Sequence, residues 1–133
     1  MLYKMRLATS KRTQMIDITA QVQELLNKSG VEEGLLLVYC PHTTAGITIN
    51  ENADPTVVQD ILRRLEEMVP WGRHADKHSE GNSAAHLKAS LIGSSQYIPI
   101  EKRRLVLGTW QGIYFCEFDG PRQRSYHVYI HAE

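Results

Sequence analysis

The chain has 133 residues, with 15 Lys+Arg against 15 Asp+Glu and six histidines, so it carries no formal net charge. One domain spanning residues 1–133 is expected, and a (β/α)8 barrel, which needs at least about 200 residues, is excluded. Neither half holds the lysine and arginine excess that phosphate neutralisation demands, which argues against nucleic acid and membrane surfaces as partners.

Residues 3–9 and 12–18 read as two β segments separated by a polar break at Ser10-Lys11. Thr19 is the expected N-cap of a helix carrying Val22, Leu25 and Leu26 on one side, with Gly30 as its stop. Leu35 to Cys40 is a continuous apolar run and predicts a strand covered on both faces. Pro41 ends it, and Ile47-Thr48-Ile49 resumes a β pattern. Asp54 and Pro55 open a second helix, whose inner side holds Val57, Val58, Ile61, Leu62 and Leu65. The stretch from Pro70 to Gly81 lacks periodicity, and loops of that length in a small domain are functional or disordered. Asn82 is expected to cap a short helix with His86, Leu87 and Leu91, closed by Gly93. Four β segments follow, at 95–100, 104–108, 111–118 and 124–131. Helices inserted early and strands dominating late give an α+β class, with a mixed or antiparallel sheet and a few helices.

Lys4 and Arg6 interrupt any apolar leader, and no run approaches the ~20 residues of a membrane span. Cys40 and Cys116 lie in apolar runs and form no CxxC, which suits two buried thiols in a reducing cytoplasm. Cys40 beside His42 has the residue types of a nucleophile and its base, but burial would raise its pKa and leave it inert.

The six histidines are the chemistry-bearing surplus. His127 and His131 share the wetter face of the last strand with Ser125 and Tyr129, where side chains are commonly just solvated. His42 follows a buried strand at a turn, a position where sheets hold functional side chains. His78 in the loop and His86 on the short helix would complete three nitrogens with an open position, the ligand count of a catalytic zinc site. The spacing H-x7-H is not itself a zinc signature. The helix start at Gly81-Asn82-Ser83 suits a phosphate or carboxylate, with Lys88 or Arg122 as charge-assisted donors. Glu51 is a candidate general base or a partner that orients an imidazole, and Trp110-Gln111 could wall a pocket for a flat ring.

HTTAGITINENADP (42–55), HSEGNSAAHLKASLIGSS (78–95), IPI (98–100) and LVLGTWQGIYFCEFDGPRQR (105–124) resemble the YjbQ-like family over essentially the whole chain. Some members of that family are described as secondary thiamine-phosphate synthases. The resemblance implies an α+β fold, a homotrimer, and histidine-lined pockets holding a metal or an anion between subunits. Matched residue by residue, it implies a divalent metal, zinc first and magnesium or another next, on His42, His78 and His86. It implies catalytic roles for Glu51, His42 and Arg122. Gly81, Asn82, Ser83, Lys88, Trp110, Gln111 and Arg122 would bind a small phosphorylated ligand. His74 falls in a stretch that looks variable within the family and is set aside. The implied reaction joins a pyrimidine-methyl diphosphate to a thiazole phosphate and releases pyrophosphate. Two further readings remain open, a metal-dependent hydrolase and a non-catalytic trimeric ligand- or metal-binding protein.

Overall fold

A computed structural model describes residues 1–133. Its elements in chain order are β1 (Leu2–Ala8), β2 (Gln14–Asp17), α1 (Thr19–Ser29), β3 (Gly34–Tyr39), β4 (Ala45–Glu51), α2 (Pro55–Met68), α3 (Ser83–Ile92), β5 (Ser95–Glu101), β6 (Arg104–Leu105), β7 (Gln111–Glu117) and β8 (Gln123–Ala132). The strands form two antiparallel sheets, one ordered β1-β8-β3-β5-β6 and the other β2-β7-β4. The α+β class is therefore met, with every strand pair antiparallel.

Period-two alternation decides which side chains fill the space between the sheets. In β8, Tyr126, Val128 and Ile130 are buried while Tyr129 is exposed. In β3, Leu36 and Val38 take the buried phase. They join Ile47, Ile98, Ile113 and Phe115 in a core of 17 residues that also receives Val22, Leu25 and Leu26 of α1. A second, smaller cluster covers the other face of β7: Tyr114, Cys116 and Phe118 pack with Ala85 and Ala89 of α3, and Val58 and Leu65 of α2 lie against them. Helices α2 and α3 thus sit on the outside of the three-stranded sheet.

Four local expectations are corrected. Thr19 is the first helical residue rather than the cap. Asp17 accepts its N–H and its hydroxyl, and Thr19 Oγ1 in turn accepts the Ile113 N–H at 2.8 Å. Asn82 stands at the cap position of α3 but makes no side-chain capping bond. The inner side of α3 is Ala84, Ala85, Lys88 and Ala89, while Leu87 and Leu91 are exposed, because small residues let the helix lie close to the sheet. That approach is also visible at Gly46, where a Cβ would come within 2.5 Å of Gly93 O. Finally, β3 is covered on one face only. Leu35 and Tyr39 are 39% and 40% exposed, because both outer helices went to the other sheet.

Candidate functional site: a histidine and arginine cleft

The turn between β3 and β4 (residues 41–44), the loop before α3, the first residues of α3 and the β7–β8 connection meet at one end of the sheets. They enclose a cleft of about 410 Å³ whose lining is polar apart from Pro41. Its functional groups are His42, His78, His86, Arg122 and Arg124, with Glu80, Asn82 and Asp119. His78 and His86 pack edge to face, ring centroids 5.3 Å apart.

His42 is anchored through its Nε2, which lies 3.0 Å from Ser125 N and 3.1 Å from Ser125 O; in the tautomer that donates Nε2–H to this carbonyl, the Nδ1 lone pair is free. Burial lowers the His42 pKa, and the Arg124 guanidinium pushes it down further. A neutral imidazole is the form that ligates a metal. The shift also fixes a sign for stability. Below the ordinary value of 6.5 the unfolded chain takes up this proton more readily than the folded one. Stability should therefore fall as the pH drops from 6.5 toward the lowered folded value. Urea unfolding followed from pH 7.5 to 5 in wild type and His42→Asn should show a shallower slope in the variant; identical slopes would remove the His42 contribution.

Arg124 is buried beneath the cleft. Its guanidinium is bidentate to Glu117, which is 0% exposed, and also reaches Thr44 Oγ1 at 2.8 Å. Thr9 Oγ1 donates to Glu117 at 2.8 Å, and the Asp119 N–H donates to its other oxygen at 3.0 Å. Every oxygen of this carboxylate is occupied, as a buried charge requires. Arg122 lies at the rim, its Nε and Nη2 held by the Asp119 carbonyl and carboxylate. The two arginines of the lining are balanced by Glu80 and Asp119, so the cleft has no surplus of fixed positive charge.

The sequence-derived site divides in two. His42, His78, His86, Asn82 and Arg122 come together. Glu51, Trp110 and Gln111 do not join them. Glu51 pairs with Gln111 at the far end of β4, six residues from Ala45, which is roughly 20 Å at about 3.3 Å per residue. Trp110 is 63% exposed there, and its carbonyl accepts the Asn52 N–H. Lys88 is corrected as an anion ligand: it is 1% exposed, turned toward α2 and ion-paired with Glu66, because it occupies the inner phase of α3. Ser83 borders a neighbouring, more apolar pocket with Met68 and Leu87, and Gly81 does not line the cleft. Cys40 is 1% exposed, its thiol pushed up by burial, and Cys116 is pushed up to about 12 by the same cause. Neither is a nucleophile at neutral pH.

Sequence reasoning missed Arg124, Glu117, Asp119 and Glu80. One signal was available: Arg124 falls in phase with Tyr126, Val128 and Ile130, a charge on a buried strand face that requires a buried partner.

The three imidazoles border one cleft, but no three His, Cys, Asp or Glu side chains of the single chain converge closely enough to hold an ion. The donor chemistry fits a metal such as zinc in the His42 tautomer that donates Nε2–H to Ser125 O and keeps the Nδ1 lone pair for the ion.

The model of the family described as UPF0047 protein YjbQ-like matches residues 3–133. The chain belongs to this family. It is 57% identical over 128 residues to the UPF0047 protein YugU of Bacillus subtilis, covering 96% of this chain and 97% of that one. A UPF0047 protein of Methanocaldococcus jannaschii is 50% identical over 130 residues, covering 98% and 94%. Among solved structures, an uncharacterised YjbQ/UPF0047 protein of Clostridium acetobutylicum superposes with a TM-score of 0.94 at 57% identity, covering 97% of this chain and 99% of that one. A protein of unknown function from Sulfolobus solfataricus gives 0.95 at 34% identity, covering 100% and 97%. No helix of the chain is long and apolar enough to cross a membrane.

Proposed function

We propose that a bound ligand or a neighbouring subunit draws His42, His78 and His86 together on a divalent metal, zinc first and magnesium or another next, and that the completed cleft acts on a small phosphorylated ligand. The observation that carries this reading is the combination of three imidazoles, one held neutral, with a lining whose fixed charges cancel. Arginines already committed to Asp119 and Glu117 leave little net charge for an anion. A bound cation would supply that charge and polarise a phosphoryl oxygen.

The reaction we favour is the thiamine-phosphate synthase type, a transfer that joins a pyrimidine-methyl diphosphate to a thiazole phosphate and releases pyrophosphate. Its demand is stabilisation of a departing anion in a site closed to water. Arg122 would donate to the leaving phosphates from the rim, and His42 and His86 would fix their position. Glu51, at the end of β4, and Trp110 and Gln111, at the start of β7 beside it, lie too far from the cleft to serve it within one chain. We therefore propose a homotrimer in which a neighbouring subunit brings that end to the cleft, with Trp110 against a ring. The open face of the five-stranded sheet, with Leu35, Tyr39, Tyr97 and Tyr129 exposed, supports such an assembly. Two unpaired buried thiols support a cytoplasmic location.

Assay of the purified protein with both precursors and zinc or magnesium tests the reading. Thiamine phosphate should form, and Glu51→Gln should lose turnover while keeping its metal. Mixed Glu51→Gln and His86→Ala chains should regain part of the activity. No product with any divalent metal would discard the transferase and leave the metal-dependent hydrolase. Unchanged ligand binding in an inactive Glu51→Gln protein, with no turnover in wild type, would favour a non-catalytic binding protein.

A further inference from the structure

Asn82 is 5% exposed at the start of α3, and its Oδ1 is a buried acceptor that no donor in the chain reaches. Its Nδ2 donates to Asp119 Oδ2 at 2.8 Å, and Arg122 Nη2 donates to the same oxygen at 2.9 Å. Turning the amide over would set Oδ1 against a carboxylate oxygen, so Asp119 determines which way it faces. The side chain does not cap α3 either. A buried acceptor of this kind normally has a partner, and Asn82 borders the polar cleft where one can be supplied.

Asp119 thus holds two groups of opposite character beside each other. Arg122 is a donor and suits the bare oxygens of an anion. Asn82 Oδ1 is an acceptor and suits an O–H. Resting on the phosphate reading of the cleft, we propose that Asn82 is a specificity residue that receives a proton-bearing oxygen of the bound anion. The ligand class is then inorganic phosphate, or a phosphate monoester, in a form that keeps one proton on an oxygen. Sulfate matches hydrogen phosphate in size and charge but carries no O–H near neutral pH, and a site that supplies a buried acceptor rejects an analogue that lacks the donor.

Titration calorimetry at pH 6.5 on the zinc-loaded protein, with inorganic phosphate and with sulfate as probes, tests this. Wild type should bind phosphate roughly tenfold more tightly than sulfate, the ratio that one net hydrogen bond gives. In Asn82→Ala the two affinities should fall within about twofold of each other through loss of phosphate affinity alone. Equal affinities in wild type would overturn the role of Asn82 and leave the anion site standing, as would a preference that survives in a folded Asn82→Ala protein. Binding of neither anion would overturn both readings. The wild-type ratio needs no substitution, so a variant that fails to fold does not shelter the proposal.

Discussion

Replacing Glu117 with alanine is expected to cost about 3–5 kcal/mol of stability, the usual effect of removing one partner of a buried ion pair. For a chain of this size that lowers the melting temperature by roughly 10 °C or more. The reason is local. Arg124 is 7% exposed and keeps its charge, so without the Glu117 carboxylate it would retain only Thr44 as a buried partner. Replacing both residues with apolar ones of similar volume, Glu117→Leu with Arg124→Met, should cost much less, because no unpaired charge remains. The pair also predicts an acid limb. Burial would raise the Glu117 pKa, but hydrogen bonds from Arg124, the Asp119 N–H and Thr9 outweigh it and hold the carboxyl below its usual value of 4.5. Its contribution is therefore fully present above pH 4.5 and is lost as the pH falls through the lowered folded value. Thermal unfolding of the single and double variants at pH 7 checks the order; a Glu117→Ala protein as stable as wild type would contradict it.

The same pair ties the fold to the cleft. Arg124 sits under His42 and helps keep that imidazole neutral. It reached this place because β8 puts Arg124 in phase with the core residues Tyr126, Val128 and Ile130. The histidines were legible from the sequence for a comparable reason. His42 follows a strand end, and His86 lies on a helix whose start and stop residues could be read. What could not be read was which sheet each strand joins. Nothing in residues 1–18 says that β1 pairs with β8 while β2 pairs with β7. That partition depends on long-range pairing, and it determines where α2 and α3 pack. It also explains the misplaced Lys88. Leu87 and Leu91 suggested the inner face of α3, but the close approach at Gly46 admits only small residues and one lysine that can reach Glu66. Glu51 and Trp110-Gln111 were grouped with the histidines by family resemblance, but the end of β4 and the start of its partner β7 hold them at the opposite end of the sheet.

The metal reading makes the second large prediction. An imidazole removed from a three-nitrogen site should weaken zinc binding by at least roughly a hundredfold, beyond the loss caused by disturbing an outer partner. His42, His78 and His86 come from three separate segments, so an effect at all three cannot come from one local distortion. His127 and His131 lie on β8 outside the cleft lining and serve as controls that should retain their metal. The most direct measurement is metal content after dialysis against a weak chelator for wild type, His42→Ala, His78→Ala, His86→Ala and His131→Ala. The account predicts about one zinc per chain in wild type and His131→Ala, and little in the other three. Equal metal content in all five proteins would contradict the three-histidine site.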